Sequence, residues 1–346
     1  MQQVHNIVYT NPAALHQVDR IHRRVAAVQA GAGGRHSWWI MRIFLGMECS
    51  VQLLFTYTSG SILPAPIPNM PCAMAAPFLV LTDFTPAADQ ALRYAAALAA
   101  PVHASLIVLH IRRETLLDPD AFNGSIRHLS EGEVAASLQE RTQPLGVPVT
   151  VESAVEGVEA AVADAVRRYS PSLVVLGKPD TETTPDELVS STSLKLLRAT
   201  RTPLLVVPVG TQAAVPPLAV TVAADNSSIS LKTQSEGIRE VLAHLKPRLT
   251  VAHVAEPENS DTCSAALDAV TASGMLTGIE TRIHTHGVRH RRVSAGILQA
   301  AQETHADLLV LVARRRSFLG QLFNRSVTSQ VVLHGRLPML LLPALD

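Results

Sequence analysis

Phe78-Leu79-Val80-Leu81-Thr82-Asp83, running on into Phe84-Thr85-Pro86-Ala87-Ala88, is the stretch that decides the fold. A short apolar run without alternation reads as a strand buried on both faces of a parallel sheet. Thr85 then suits a helix N-cap, Pro86 the first helical turn, and Asp89 the positive end of the helix dipole. A strand that passes at once into a helix is the start of a βαβ unit. The same opening returns at Leu218-Ala219-Val220-Thr221-Val222-Ala223-Ala224-Asp225.

Working outward, the later elements also occur twice. Leu106-Ile107-Val108-Leu109-His110 is answered by Leu249-Thr250-Val251-Ala252-His253, an offset of 253 − 110 = 143. Leu173-Val174-Val175-Leu176-Gly177 is answered by Leu308-Leu309-Val310-Leu311-Val312, an offset of 312 − 177 = 135. Pro203-Leu204-Leu205-Val206-Val207-Pro208 is answered by Pro338-Met339-Leu340-Leu341-Leu342-Pro343. A near-constant offset over four elements is duplication of a whole domain, not a short solenoid repeat. Between the strands, helical spacing predicts helices at Pro86–Ala100, at Gly157–Tyr169 with Val158, Val162 and Val166 on one face, and at Ser191–Ala199. The expected class is therefore α/β: two tandem, doubly wound, Rossmann-like domains, over residues 77–210 and 216–346. The Pro-bearing segment Ala213-Ala214-Val215-Pro216-Pro217 joins them. It is short enough to keep the copies close.

Residues 1–76 look foreign to the repeat and are expected to be a poorly ordered extension, with Met74 as a candidate natural start. The apolar patch Trp38-Trp39-Ile40-Met41-Arg42-Ile43-Phe44-Leu45 is interrupted by Arg42 and followed by Glu48, so it does not read as a membrane span. Nor does it sit where a signal peptide would. Cys49, Cys72 and Cys263 are scattered, with no zinc or disulfide spacing, which favours a reducing, cytoplasmic setting. Net charge is zero, but residues 77–209 carry 11 Lys+Arg against 16 Asp+Glu, whereas residues 210–346 carry 13 against 11. The copies thus differ in surface charge, which bears on partners rather than on fold.

Phe78–Ala88, Ala306-Asp307-Leu308-Leu309-Val310-Leu311 and Pro203–Pro208 together resemble the universal stress protein family in its tandem form. The resemblance covers essentially all of 77–344. It implies a five-stranded parallel sheet in each copy, pairing of the copies through their last strands into an intrachain pseudo-dimer, and a role in stress response. Members that bind ATP carry Gly-x2-Gly-x9-Gly-[Ser/Thr] after the fourth strand. There, glycines let backbone N–H groups reach the phosphates. Here the first copy reads Gly177-x2-Asp180-x9-Ser190-Ser191, with Glu182, Asp186 and Glu187 adding negative charge. The second reads Val312-x2-Arg315-x9-Arg325-Ser326, with every glycine gone. Asp83 and Asp225 hold the family's adenosine-side aspartate.

The candidate nucleotide-binding residues are accordingly Asp83, Gly177, Ser190 and Ser191. Each also has a plain reading: Asp83 as a strand-end turn residue, Gly177 as a turn glycine, the two serines as helix caps. His284, His286 and His290 cluster but have arginine neighbours and no supporting carboxylate, so no metal is expected. His110 and His253 read as hydrogen-bonded structural residues. No nucleophile–base–acid spacing stands out, and enzymatic activity is not expected.

The reading is a tandem stress-adaptation protein working through protein or small-ligand contacts, with weak or no ATP binding and no cofactor. The alternative is an ATP-binding protein, a slow ATPase at most, using the first copy. A third is an architectural module that oligomerises through its terminal strands. Arg289, Arg291, Arg292, Arg314, Arg315, Arg316 and Arg325 are expected to give the second copy an anion-attracting carboxyl edge, through two loops expected to follow adjacent strands, and that edge is either a solvated basic face or a site for an anionic ligand or an acidic protein partner. Few aromatics and zero net charge argue against nucleic acid.

Overall fold

The computed structural model describes residues 39–44, 50–58, 61–64, 75–111, 130–155, 157–180, 186–212, 215–231, 236–258, 263–314 and 326–344. The chain divides into two compact units, Met1–Cys72 and Ala73–Asp346. The first holds a small antiparallel meander: β1 (Trp39–Phe44), β2 (Ser50–Thr58) and β3 (Ser61–Pro64), in that order. These three strands lie within residues 1–76. Met74 lies outside the described residues.

In the second unit the first copy runs β4 (Phe78–Thr82), α1 (Pro86–Ala99), β5 (Leu106–Ile111), α2 (Glu131–Thr142), β6 (Val149–Ala154), α3 (Val158–Tyr169), β7 (Leu173–Lys178), α4 (Asp186–Thr200) and β8 (Leu204–Pro208). The second runs β9 (Ala219–Ala223), α5 (Glu236–Leu245), β10 (Arg248–Ala255), α6 (Cys263–Ala272), β11 (Ile283–Arg289), α7 (Val293–Glu303), β12 (Leu308–Ala313), α8 (Val327–His334) and β13 (Met339–Pro343). All ten strands form one sheet, in the order β11-β10-β9-β12-β13-β8-β7-β4-β5-β6. Neighbours are parallel within each copy. The one antiparallel pair is the seam, where Met339, Leu340 and Leu341 of β13 face Val206, Leu205 and Leu204 of β8.

Burial follows strand position. The central strands β8, β9 and β13 are buried at every residue, whereas the edge strands β6 and β11 are mostly exposed or half-buried. One apolar cluster covers one sheet face with Leu92, Leu205, Val220, Leu242, Val270 and Leu340. Another covers the opposite face with Val162, Leu197, Leu204, Ile297, Val331 and Leu341. Both clusters run through the two copies, so the copies share their core rather than merely touching. Asp307 pins the entry to β9, its Oδ2 accepting from Leu218 N at 3.0 Å and Ala219 N at 2.9 Å. Tyr94 of α1 is buried, and its hydroxyl has no hydrogen-bond partner among the described residues. Burial first, and the Asp307 carboxylate second, push its phenol well above the ordinary range. Among the described residues no helix is long and apolar enough to cross a membrane.

Candidate functional site

In an open parallel sheet, ligands bind beyond the carboxyl ends of the strands, where the strand order reverses. The order places that point between β4 and β7 in the first copy and between β9 and β12 in the second. In the first copy the last β4–β7 pair is Val80 with Val175. Both strands continue beyond it, to Thr82 and Lys178. The ends therefore splay.

The first turn of α1 fits against this opening. Asp83 Oδ1 accepts from Thr85 N at 3.1 Å and from the Thr85 hydroxyl at 2.6 Å. Thr85 Oγ1 in turn accepts from Ala88 N at 3.3 Å, capping the helix as its sequence suggested. Gly177 lies directly beneath. A Cβ there would stand 2.3 Å from the carbonyl carbon and oxygen of Ala87 and 2.6 Å from Ala88 N. Gly177 is thus needed for close helix–strand approach rather than for a turn. Asp83 and Gly177 are brought together around one helix start. Phe84 has φ +63°, a conformation uncommon for so bulky a residue. Its ring stacks on His110 with centroids 4.3 Å apart. The Arg141 guanidinium lies 5.0 Å from the Phe84 centroid and pairs with Asp89 at 2.8 Å. The His110 Nδ1 lies 3.0 Å from the Thr82 carbonyl, so it carries the proton and donates.

Ser190 and Ser191 do not join that group at a helix start. The helix expected from Ser191 begins at Asp186, which makes the two serines its fifth and sixth residues. Only the first four N–H groups of a helix are left without an intrahelical acceptor. The amides of Ser190 and Ser191 belong to the regular ladder, so neither serine occupies the N-cap position. Asp186 and Glu187 are the first two residues of that helix. Asp180 is exposed just after β7. Glu182 lies outside the described residues, as do the side chains of 186–192.

Sequence reasoning missed Lys178. It ends β7 and is 4% exposed. Its Nζ donates to Leu333 O at 2.5 Å and Gly335 O at 2.8 Å, carbonyls at the C-terminus of α8 in the other copy. The only signal was a lysine closing an otherwise apolar strand.

The second copy closes the same end differently. Strand register pairs Gly177 with Val207 and Val312 with Leu342, which confirms that Val312 stands in for Gly177 and Ala313 for Lys178. α1 begins 86 − 83 = 3 residues after Asp83, whereas α5 begins 236 − 225 = 11 residues after Asp225. With a side chain at 312, no helix start can approach as closely as α1 does at Gly177. Instead Arg314 turns into the β9–α5 loop. Its Nη2 donates to Asp225 Oδ1 at 2.7 Å and Ser227 O at 3.0 Å, and its Nη1 to Ser228 O at 2.9 Å. Asp225 Oδ1 also accepts from Ser227 N at 3.1 Å. His253 repeats the role of His110, donating from Nδ1 to Ala224 O at 3.1 Å. Ser326, the counterpart of Ser191, does cap its helix, accepting from Ser329 N at 3.0 Å.

The basic edge needs correction. β10 and β9 lie between β11 and β12, so the two arginine-bearing loops do not follow adjacent strands. Three strand spacings put them roughly 14 Å apart. Arg314 is only 12% exposed and turned inward, Arg289 is exposed at the end of β11 and Arg291 just beyond it, and Arg292 occupies the N-cap position of α7 without a side-chain cap bond. Arg315, Arg316 and Arg325 lie outside the described residues. Of the histidines, His286 Nε2 meets Glu303 Oε2 at 2.7 Å and His290 Nδ1 accepts from Arg292 N at 2.9 Å. Among the described residues no group of three or more His, Cys, Asp and Glu could hold a metal ion.

The model of the universal stress protein family matches residues 74–208 and again 219–343. No curated protein matches the chain. A universal stress protein from Archaeoglobus fulgidus DSM 4304 superposes with a TM-score of 0.58 at 18% identity, over 78% of this chain and 97% of that one. A putative universal stress protein from Pseudomonas aeruginosa UCBPP-PA14 does so at 0.51 and 15%, over 78% and 94%. A single-copy relative from Burkholderia pseudomallei is 27% identical, with a TM-score of 0.29, over 40% of this chain and 99% of its own. The first two likenesses show the fold. The doubled family match joins them to the repeated strand–helix order: the chain belongs to the universal stress protein family, as a tandem of two of its domains.

Proposed function

We propose that this protein serves stress adaptation in the cytoplasm through contacts with protein partners or small ligands, binding ATP weakly or not at all and catalysing no reaction. The stress role rests on the family, and a fold by itself hosts many functions. The reading on ATP rests on one observation: α4 begins at Asp186, so the stretch that would cradle phosphates is partly wound into helix. Its leading residues are acidic, and Asp180 precedes them. Like charges oppose a polyphosphate even near a surface. In the second copy Val312 bars close backbone approach and Arg314 engages Asp225.

Calorimetric titration of the full chain with magnesium ATP tests this. No saturable heat is expected at micromolar nucleotide, and micromolar or tighter binding contradicts the reading. The double variant Asp180→Gly, Ser190→Gly removes one charge and weakens the helix, since interior glycine costs about 1 kcal/mol. It is expected to bind ATP more tightly than the unaltered chain.

A further inference from the structure

We propose that the carboxyl end of the second copy is a guanidinium-binding site whose occupant is built in: Arg314. This goes beyond the reading on ATP, because it assigns the crevice a ligand class instead of only denying it one. The loop between β9 and α5 presents three acceptors to one side chain: the Asp225 carboxylate and the carbonyls of Ser227 and Ser228, at 2.7, 3.0 and 2.9 Å. Guanidinium is a planar fork of five N–H donors with no acceptor, and it suits such a set. The compact ammonium of a lysine presents no such fork. Arg314 is 12% exposed although Asp225 is 56% exposed, so the guanidinium is held within the loop while the carboxylate faces water.

The contrast with the first copy sharpens the point. By the 135-residue offset fixed through strand register, Pro179 stands where Arg314 does. Proline has no side-chain donor, and Asp83 there binds Thr85 instead. The second copy has thus exchanged a helix start over glycine for a loop latched by its own cation. A phosphate approaching the unlatched loop would meet a carboxylate and carbonyl oxygens. A guanidinium, free or on a partner's arginine, would meet its own complement.

Chemical rescue tests the proposal in the full-length chain. Arg314→Ala empties the site, and its thermal midpoint is expected to fall by about 3–5 °C. Low-millimolar methylguanidinium should then restore at least half of that loss. It should do nothing of the kind for the unaltered chain or for the double variant Arg314→Ala, Asp225→Asn. Equal shifts in all three proteins, no shift in any, or an Arg314→Ala protein as stable as its parent would overturn the proposal. Should Arg314→Ala fail to fold, Arg314→Lys keeps the charge without the fork. Partial loss with partial rescue is expected, and full stability of that variant would equally overturn it. ATP binding by the unaltered chain would remove the previous reading and leave this one standing, and failed rescue would do the reverse.

Discussion

The first copy closes its ligand end with a helix and the second with an arginine. Both begin from the same plan, a strand followed within two residues by aspartate, beside a strand that carries near its end a histidine whose Nδ1 donates to a backbone carbonyl. One position separates them. Glycine at 177 lets α1 begin three residues after the aspartate, in backbone contact with β7, whereas valine at 312 goes with a long loop and the Arg314 latch. Loss of a single Cβ-free position thus accompanies rearrangement of a whole strand–helix connection. The copies are also tied unequally: Lys178 reaches α8 across the seam, while the methyl side chain of its counterpart Ala313 carries no donor to return the contact.

Exchanging the residues at the decisive position breaks the comparison hardest. Gly177→Val puts a side chain into the Ala87 backbone and is expected to cost at least ~3 kcal/mol in urea unfolding, beyond the usual range for overpacking. Val312→Gly meets no such wall and should cost about 1–2 kcal/mol, as a small cavity and a freer backbone do. Equal costs would mean that the two helix ends are not differently built. Next, Lys178→Ala leaves two carbonyls at a helix C-terminus without their donor and should cost about 3 kcal/mol, read as a lower urea midpoint. Ala313→Gly, its mirror, should cost less than half as much.

Tyr94 offers a smaller effect of opposite sign. Its buried hydroxyl has no partner among the described residues, so Tyr94→Phe should stabilise by about 1–2 kcal/mol. The same residue gives a pH dependence. Its phenol is raised in the fold above the ordinary 10.0, so the unfolded chain loses that proton first. Stability should therefore fall as pH rises past about 10 and the unfolded state ionises, and this part of the alkaline loss should vanish in Tyr94→Phe thermal melts. The smallest contrast lies in the serines. Ser326→Ala removes a helix cap and should cost about 1 kcal/mol. Ser191→Ala, at an interior helical position, should cost next to nothing. The reverse order would restore Ser191 to a helix start.

The strand runs and their repetition were legible because buried parallel strands leave unbroken apolar stretches and offsets survive duplication; pairing through the last strands was implied by the family resemblance, and its antiparallel sense came from the structure. Thr85 as a cap was legible because capping chemistry is local. The start of α4 was not: Asp186 follows Thr184 and Pro185 in a stretch that reads as loop, yet it begins a helix that packs Leu194, Leu196 and Leu197 against the sheet several residues later. Lys178 and Arg314 were not legible as what they are. Each looks like an ordinary surface cation, and each finds its partners at 86 residues or more along the chain. The supposed basic edge failed for a related reason, since adjacency of loops depends on strand order rather than on sequence order.

The central claim is that the first copy's phosphate loop has been partly wound into helix. Amide hydrogen exchange across residues 186–192, with and without magnesium ATP, tests it most directly. Ser190 and Ser191 are expected to exchange slowly, as interior helical amides do, and at rates unchanged by nucleotide. Fast exchange in the free protein that slows when ATP is added would show an open loop closing on phosphates, and would contradict the account.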